Sequence, residues 1–465
     1  MKKTLTAFRL GDVRGVYPDE VNEDFALGFS HALAQQFDLT GIIAVGRDMR
    51  DSSPGLQASL IEGLLDSGLD VVDLGMCASE LGYFASTMTQ INAAVIVTAS
   101  HNPPDYNGFK VVLNNGQAVT FLDGLVGVMQ LMLAGHRNRC RRGSLVSIDV
   151  HQAYLAFLHQ QFEGINLASG LMALNGLNGM AATLAVDVAE MFKLPTHWFR
   201  QQPGPIPVEG PDPSKPRLKV EMNDFMQTKP SVMGVAWDGD CDRCMIFDTR
   251  GELIPTYYII GLLAEHFLRQ QPGAAVTFDT KLCWNTIDII RRLKGQAIRS
   301  ETGHAFMKRH MSTNKAVYGG ELSSHHYFGS FFGCDSGMIA WLQIISALNN
   351  ANTSLTDIID ESKSRICSTP EINLHLSDIS RAFESISSRY GSRATHTDYF
   401  DGPSFEMPGD WRFTLRRSKT EPLVRLNLEA RGNPDQLLNE GSDLLSALAP
   451  FQADDSNWHD SLIIQ

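Results

Sequence analysis

The chain has 465 residues, 43% hydrophobic and 20% charged, with a formal net charge of −13. That length exceeds one ordinary core, so three or four domains are expected, and the acidic balance excludes a general nucleic-acid or membrane-surface binder while leaving room for an anionic ligand held by locally gathered cations. No apolar run approaches the roughly 20 residues that cross a bilayer, and Arg9, Asp12 and Arg14 follow the start too soon for a signal peptide, so a cytoplasmic location is expected.

Phe25, Phe29, Leu33 and Phe37 fall on one helical stripe behind Asn22, a capping residue. Residues 41–46 read as a short buried strand. Ser53-Pro54 reads as an N-cap with proline at the first helical position; Leu56, Leu60, Ile61, Leu64 and Leu65 form the stripe, and Gly68 ends it. Residues 71–74 and 93–98 are further strands, and this rhythm predicts a largely parallel sheet with crossover helices. The pattern returns with strands expected at 183–188 and 231–237, then again at 274–278 and 315–318. Six prolines between Gln201 and Pro216 predict an irregular loop. Residues 411–415 and 423–428 partly alternate, as an antiparallel pair does. The expected architecture is three similar α/β domains with mixed sheets, at 1–150, 151–255 and 256–368, followed by a smaller α+β domain at 369–465.

Four loops carry chemistry. Thr98-Ala-Ser-His-Asn-Pro-Pro104 follows a buried strand, where open α/β sheets place ligands, so Ser100 is a candidate nucleophile and Lys110 a nearby cation or proton carrier. A plain turn is the alternative; a protease-like reading fails because no G-x-S-x-G elbow exists. Asp238, Asp240 and Asp242 project to one side of an extended loop, and their hard oxygens suit Mg²⁺. A calcium EF-hand starting at Asp238 would need glycine and glutamate where Arg243 and Thr249 stand. A haloacid-dehalogenase-like phosphatase with Asp238 as nucleophile also places D-x-D after a strand and stays open. Cys241 and Cys244 form a C-x-x-C without a second pair, so packing is favoured over zinc. The seven cysteines are odd in number and scattered (77, 140, 241, 244, 283, 334, 367), which favours reduced thiols. In Gly319-Gly-Glu321-Leu-Ser323-Ser-His325-His326, a carboxylate and a hydroxyl two residues apart can hold vicinal sugar hydroxyls, and His325 can carry a proton. Arg416-Arg417-Ser418-Lys419-Thr420, with Arg425 beyond, gathers cations and hydroxyls into a phosphate clamp.

In this order and spacing the four loops resemble the α-D-phosphohexomutases essentially end to end, closest to their bacterial phosphomannomutase branch. The stretches that carry the resemblance are Thr98 to Pro103, Asp105 to Lys110, Asp238 to Cys244, Thr302 to Phe306, Gly319 to Phe328 and Cys334 to Met338. It implies four domains around a central cleft, each giving one loop. Ser100 would be the phosphoserine, sharing one Mg²⁺ with Asp238, Asp240 and Asp242, and Arg14, His101, Lys110 and Arg243 would surround the transferring group. Lys281 and His304 would contact substrate; Glu321, Ser323 and His325 would hold the sugar; Arg416, Ser418, Lys419 and Thr420 would hold its distal phosphate. The resemblance also implies sugar-phosphate substrates, a hexose 1,6-bisphosphate intermediate and activator, and a monomer or dimer. It departs from the family pattern at Gly11, where a tyrosine is usual, at Lys419 in place of asparagine, and at Arg417 in place of a small residue. A non-catalytic sugar-phosphate-binding protein is the alternative those departures support.

Overall fold

The computed structural model describes residues 6–135, 141–167, 170–351, 353–418, 423–454 and 456–465. They form two compact units: Met1–Ile254 with Gly303–Gly319 and Ser323–Asn352, and Pro255–Thr302 with Gly320–Leu322 and Thr353–Gln465.

The first unit opens with a mixed sheet whose strands run in the order Val13–Val16, Tyr106–Leu113, Ile91–Val97, Ile42–Arg47, Asp70–Met76, Leu145–Val146. Ile42–Arg47 pairs parallel with both neighbours, whereas Tyr106–Leu113 is antiparallel to both of its own. Helix Glu23–Gln36 begins where the Asn22 side chain accepts from Phe25 N at 3.0 Å. Its stripe buries Phe25 and Phe29 against Phe109 of the sheet, the Phe29 and Phe109 rings stacking at 4.9 Å. Helix Ser53–Asp66 ends before Gly68, whose φ of 84° suits a residue without a Cβ. Its start differs from expectation: Ser52 holds the cap position, and the Ser53 hydroxyl donates instead to Asp48 Oδ1 at 2.5 Å.

A second sheet in this unit runs Cys244–Phe247, Met233–Trp237, Met172–Asn175, Thr196–Phe199, parallel except for its first strand. The strand expected at 183–188 is part of helix Ala181–Met191. Its buried residues Ala181, Leu184, Ala185 and Val188 recur at helical spacing, a period that a six-residue apolar window cannot separate from a buried strand. Likewise helix His304–Asn314 ends at Lys315 in the left-handed conformation, and the strand there is Tyr318–Gly320. Residues 200–215, with most of the prolines, hold no helix or strand.

In the second unit, Ala275–Asp279 pairs parallel with Gln296–Ser300 across helix Trp284–Arg292. The C-terminal sheet is antiparallel throughout, ordered Ile366–Ser368, Val424–Arg431, Trp411–Arg417, Ser404–Met407, His396–Asp398, with Ile372–Leu374 also on Val424–Arg431. Helices Ile379–Tyr390 and Pro434–Leu448 contribute Ile386, Leu437 and Leu444 to its core. Glu429, fully buried, accepts from Cys283 N and Trp284 N at 3.0 Å each and pairs with Arg412 and the Tyr257 hydroxyl. The expected class, α/β domains with a smaller α+β region at the end, holds. No helix among the described residues is long and apolar enough to cross a membrane.

Candidate active site

Ser100 lies in the turn from Ala99 to Asn102 that follows strand Ile91–Val97 and is 2% exposed, with φ 52°. Its hydroxyl donates to Asp238 Oδ2 at 3.0 Å and lies 3.2 Å from His101 Nδ1. The loop around it is fixed from below. Ser100 N donates to Thr98 Oγ1 at 2.9 Å, and Thr98 in turn donates to Asp48 Oδ2 at 2.8 Å. The Arg50 guanidinium donates to four loop carbonyls: Ser100 at 2.9 Å, Asn102 at 2.7 Å, Pro103 at 2.6 Å and Tyr106 at 3.0 Å. Arg14 reaches the same loop, donating to Asn102 Oδ1 at 2.7 Å while Asp12 holds its other nitrogen at 2.5 Å.

The acidic loop leaves strand Met233–Trp237 and turns at Cys241, φ 69°. Asp238, Asp240 and Asp242 are all buried, each with a carboxylate oxygen within 4.8 Å of the others. Asp238 Oδ1 accepts from Arg243 N at 3.1 Å. Lys110 Nζ stands 2.5 Å from both Asp240 Oδ2 and Asp242 Oδ2, and the Ser79 hydroxyl also donates to Asp240 at 2.5 Å. Burial opposes the Lys110 charge, but the two carboxylates outweigh it and hold the ammonium well above its ordinary range. Burial and the like charges of Asp242 and Asp240 push the Asp238 carboxyl up; Asp242 is held down, against burial, by Lys110 and His325. His101 is kept neutral by burial and by the cations Arg243 and Arg14.

This donor set suits a hard divalent cation. Three buried carboxylates repel one another, the Lys110 ammonium and the Arg243 guanidinium, 3.7 Å from Asp238 Oδ2, offset only part of that charge, and Asp240 Oδ1 is buried without a hydrogen-bond partner among the described residues. Asp242, His325 and Asp335 make a second close group, but it offers two carboxylates and an imidazole nitrogen, whereas the three aspartates offer three hard oxygens, the donor set that Mg²⁺ favours. The cysteines beside them, Cys241 and Cys244, are buried thiols raised by burial.

Also in the first unit, the Ser323 hydroxyl is 2.8 Å from His325 Nδ1, and His325 Nε2 is 3.4 Å from both Arg243 Nε and Asp242 Oδ1. His304 begins its helix with Nε2 buried and without a hydrogen bond among the described residues, set against Gly11. A Cβ on Gly11 would lie 2.4 Å from that nitrogen.

In the second unit, Lys281 and Arg416 line one pocket together with Thr280, Asp401, Ser404 and Arg412. Lys281 Nζ is 3.4 Å from Asp279 Oδ2, which also accepts from Leu322 N at 2.9 Å; Glu321, the preceding residue, is buried. Arg416 Nε and Nη2 are buried without hydrogen bonds among the described residues, and the nearest acids, Asp401 and Glu371, stand off at 3.9 and 4.0 Å. Arg425 pairs with Glu371 at 3.1 Å, and Ser418 N donates to Leu423 O at 2.9 Å. Lys419 and Thr420 lie outside the described residues.

Sequence reasoning missed Asp48, Arg50, Ser79 and Glu80, and named Thr98 only as the start of the Ser100 loop. The one signal was an Arg-Asp-Met-Arg run at 47–50, charged directly after a buried strand. Glu80 is fully buried, accepts from Tyr154 at 3.0 Å and from Ser336, and is pushed by burial up to about 8.

Residues 5–120 match the family model for phosphoglucomutase/phosphomannomutase, alpha/beta/alpha domain I, and residues 255–365 match that for domain III. A phosphomannomutase of Escherichia coli is 38% identical over 457 residues, covering 96% of this chain and 99% of its own. A protein named phosphohexose mutases from Xanthomonas campestris pv. campestris is 38% identical over 437 residues, covering 92% of this chain and 96% of its own. The crystal structure of a phosphoglucomutase/phosphomannomutase family protein from Burkholderia thailandensis superposes with a TM-score of 0.86 at 26% identity, covering 96% of this chain and 97% of that one.

Proposed function

Because this chain belongs to the phosphoglucomutase/phosphomannomutase family, and is thus an isomerase of the intramolecular phosphotransferase kind, we propose that it interconverts hexose 1-phosphate and hexose 6-phosphate, with mannose as first sugar and glucose as second. The observation that supports this most is the Ser100 hydroxyl resting 3.0 Å from Asp238 in the three-aspartate cluster.

Ser100 Oγ carries the phosphoryl group and gives it to the free hydroxyl of a bound hexose monophosphate, whose proton leaves to His325; Lys110, held as an ammonium by Asp240 and Asp242, can give a proton to the departing Ser100 oxygen but cannot take one. The resulting 1,6-bisphosphate turns round and returns its other phosphate to Ser100. Mg²⁺ held by Asp238, Asp240 and Asp242, together with the Ser100 phosphate, would polarise the phosphoryl oxygens. Arg14, His101 and Arg243 orient the group and offset its charge. Lys281, His304, Glu321 and Ser323 grip the sugar, and Arg416, Ser418, Lys419, Thr420 and Arg425 take the distal phosphate. The division at 1–150, 151–255, 256–368 and 369–465, one loop from each, and action in the cytoplasm on sugar phosphates as monomer or dimer, belong to the same reading.

The test is phosphate labelling with hexose 1,6-bisphosphate and turnover of mannose and glucose 1-phosphates. Acid-stable label on one serine, lost with turnover in Ser100→Ala, is expected. Label that persists in Ser100→Ala refutes the assignment, and a hydroxylamine-sensitive acyl phosphate on Asp238 would point to phosphatase chemistry instead.

A further inference from the structure

Ser100 sits in the left-handed region, which a residue with a Cβ occupies only when its surroundings compel it. Here the compulsion can be traced atom by atom. The amide of Ser100 is held by Thr98 Oγ1 at 2.9 Å and its carbonyl by Arg50 Nη2 at 2.9 Å, so the peptide groups on both sides of its Cα are fixed by side chains. Three further carbonyls of the loop, at Asn102, Pro103 and Tyr106, converge on the same guanidinium. Arg50 is 3% exposed and is itself oriented by Asp48, which accepts from Arg50 Nε at 3.0 Å and from Arg50 N at 3.1 Å. The same carboxylate accepts from Thr98 and Ser53, so one buried acid ties both holders of Ser100 together. On the opposite side there is no slack: a Cβ on Gly239 would lie 2.6 Å from Ser100 O, and one on Gly210 would lie 2.2 Å from His101 O.

We propose that Asp48, Arg50 and Thr98 are positioning residues that impose the left-handed backbone on Ser100 and so fix its hydroxyl on the Asp238 carboxylate. No other side chain could replace Arg50, since only a guanidinium offers five donors in one rigid plane. The consequence for the reaction rests on Ser100 as phosphoryl carrier; the backbone claim does not.

The experiment therefore has two arms. The first compares the melting temperatures of Ser100→Gly and Ser100→Ala, neither of which has the hydroxyl, so their difference reports the backbone alone. With the rest of the chain native, Ser100→Gly melts about 2 °C above Ser100→Ala, because glycine accepts the imposed conformation without strain. Combined with Arg50→Lys, that gap closes, and combined with Thr98→Val, a change of one hydroxyl to a methyl that serves as the second background should Arg50→Lys not fold, it narrows. A gap unchanged in both backgrounds overturns the proposal. The second arm is kinetic: Arg50→Lys lowers kcat for the hexose phosphate about 100-fold with KM within about threefold, as a misplaced nucleophile requires. A loss confined to KM overturns the positioning role. Failure of the kinetic arm because the native chain has no mutase activity would count against the functional reading alone, since the melting arm needs no turnover.

Discussion

Replacing Gly11 with alanine puts a single methyl group where the structure has no room for one. The added carbon would stand 2.4 Å from His304 Nε2, 3.0 Å from Cε1 and 3.3 Å from Cδ2. An unstrained carbon–nitrogen contact is about 3.5 Å, so the imidazole must withdraw by about 1 Å. All three atoms belong to the end of one side chain, so the ring swings and the backbone stays. Swinging off its rotamer costs about 1 kcal/mol, within the roughly 1–3 kcal/mol usual for overpacking. The functional cost is larger, since a displacement of about 1 Å at a reacting site can lower the rate about 100-fold. Burial and the neighbouring Lys308 hold the His304 ring neutral, so what moves is a hydrogen-bonding group with an unused nitrogen. In a coupled assay of hexose 1-phosphate turnover, Gly11→Ala is expected to lower kcat/KM by about 10- to 100-fold. On a His304→Ala background the same change should cost less than about twofold, because the obstructed ring is gone. If the two losses simply multiply, the reasoning is refuted, and Gly11 matters for some other reason.

Three other outcomes follow from the same geometry. Lys110→Met leaves Asp240 and Asp242 without their ammonium; the metal-free protein should lose about 3 kcal/mol in denaturant unfolding, and saturating Mg²⁺ should stabilise the variant more than the native chain. Equal stabilisation of both would show that the ion binds elsewhere. Glu80 is raised by burial from 4.5 to about 8, so the folded protein keeps a proton that the unfolded chain has released across that window. Its contribution is complete below pH 4.5 and lost as pH rises through about 8, so native stability relative to Glu80→Gln should decline from pH 5 to 8, and a flat difference would mean Glu80 is ionised throughout. Arg416→Ala should raise KM for the sugar phosphate at least about tenfold with little change in kcat, because two of its buried nitrogens make no hydrogen bonds among the described residues and are open to a ligand. A fall in kcat at unchanged KM would remove Arg416 from ligand binding.

The sequence spoke most clearly where a local pattern and a local cause coincide. Asn22 before a stripe of Phe25, Phe29 and Leu33 is both the signal and the mechanism of that helix, and Asp238, Asp240 and Asp242 carry their own spacing into the buried cluster. It misled at 183–188, where apolar residues too few to reveal a period read as strand and fold as helix Ala181–Met191. It was silent on Arg50, because what makes that residue matter is a set of carbonyls about fifty positions away, and carbonyls have no letter in a sequence. The same holds for Ser53, whose position before a proline pointed to capping while its hydroxyl serves Asp48. Glu80 read as one acid among many until Tyr154 and Ser336, from distant segments, closed over it.

The hydrogen bonds to Asp240 span 130 residues from Lys110 and 161 from Ser79. A chain leaving the ribosome therefore displays both donors long before their acceptor has been translated. A fragment that stops just short of residue 238 contains Asp48, Arg50, Thr98 and Ser100, yet it lacks the acid against which that hydroxyl rests. Chemistry arrives late, with a strand made halfway through synthesis, and until then the nascent protein carries a loaded lysine with nothing to bind.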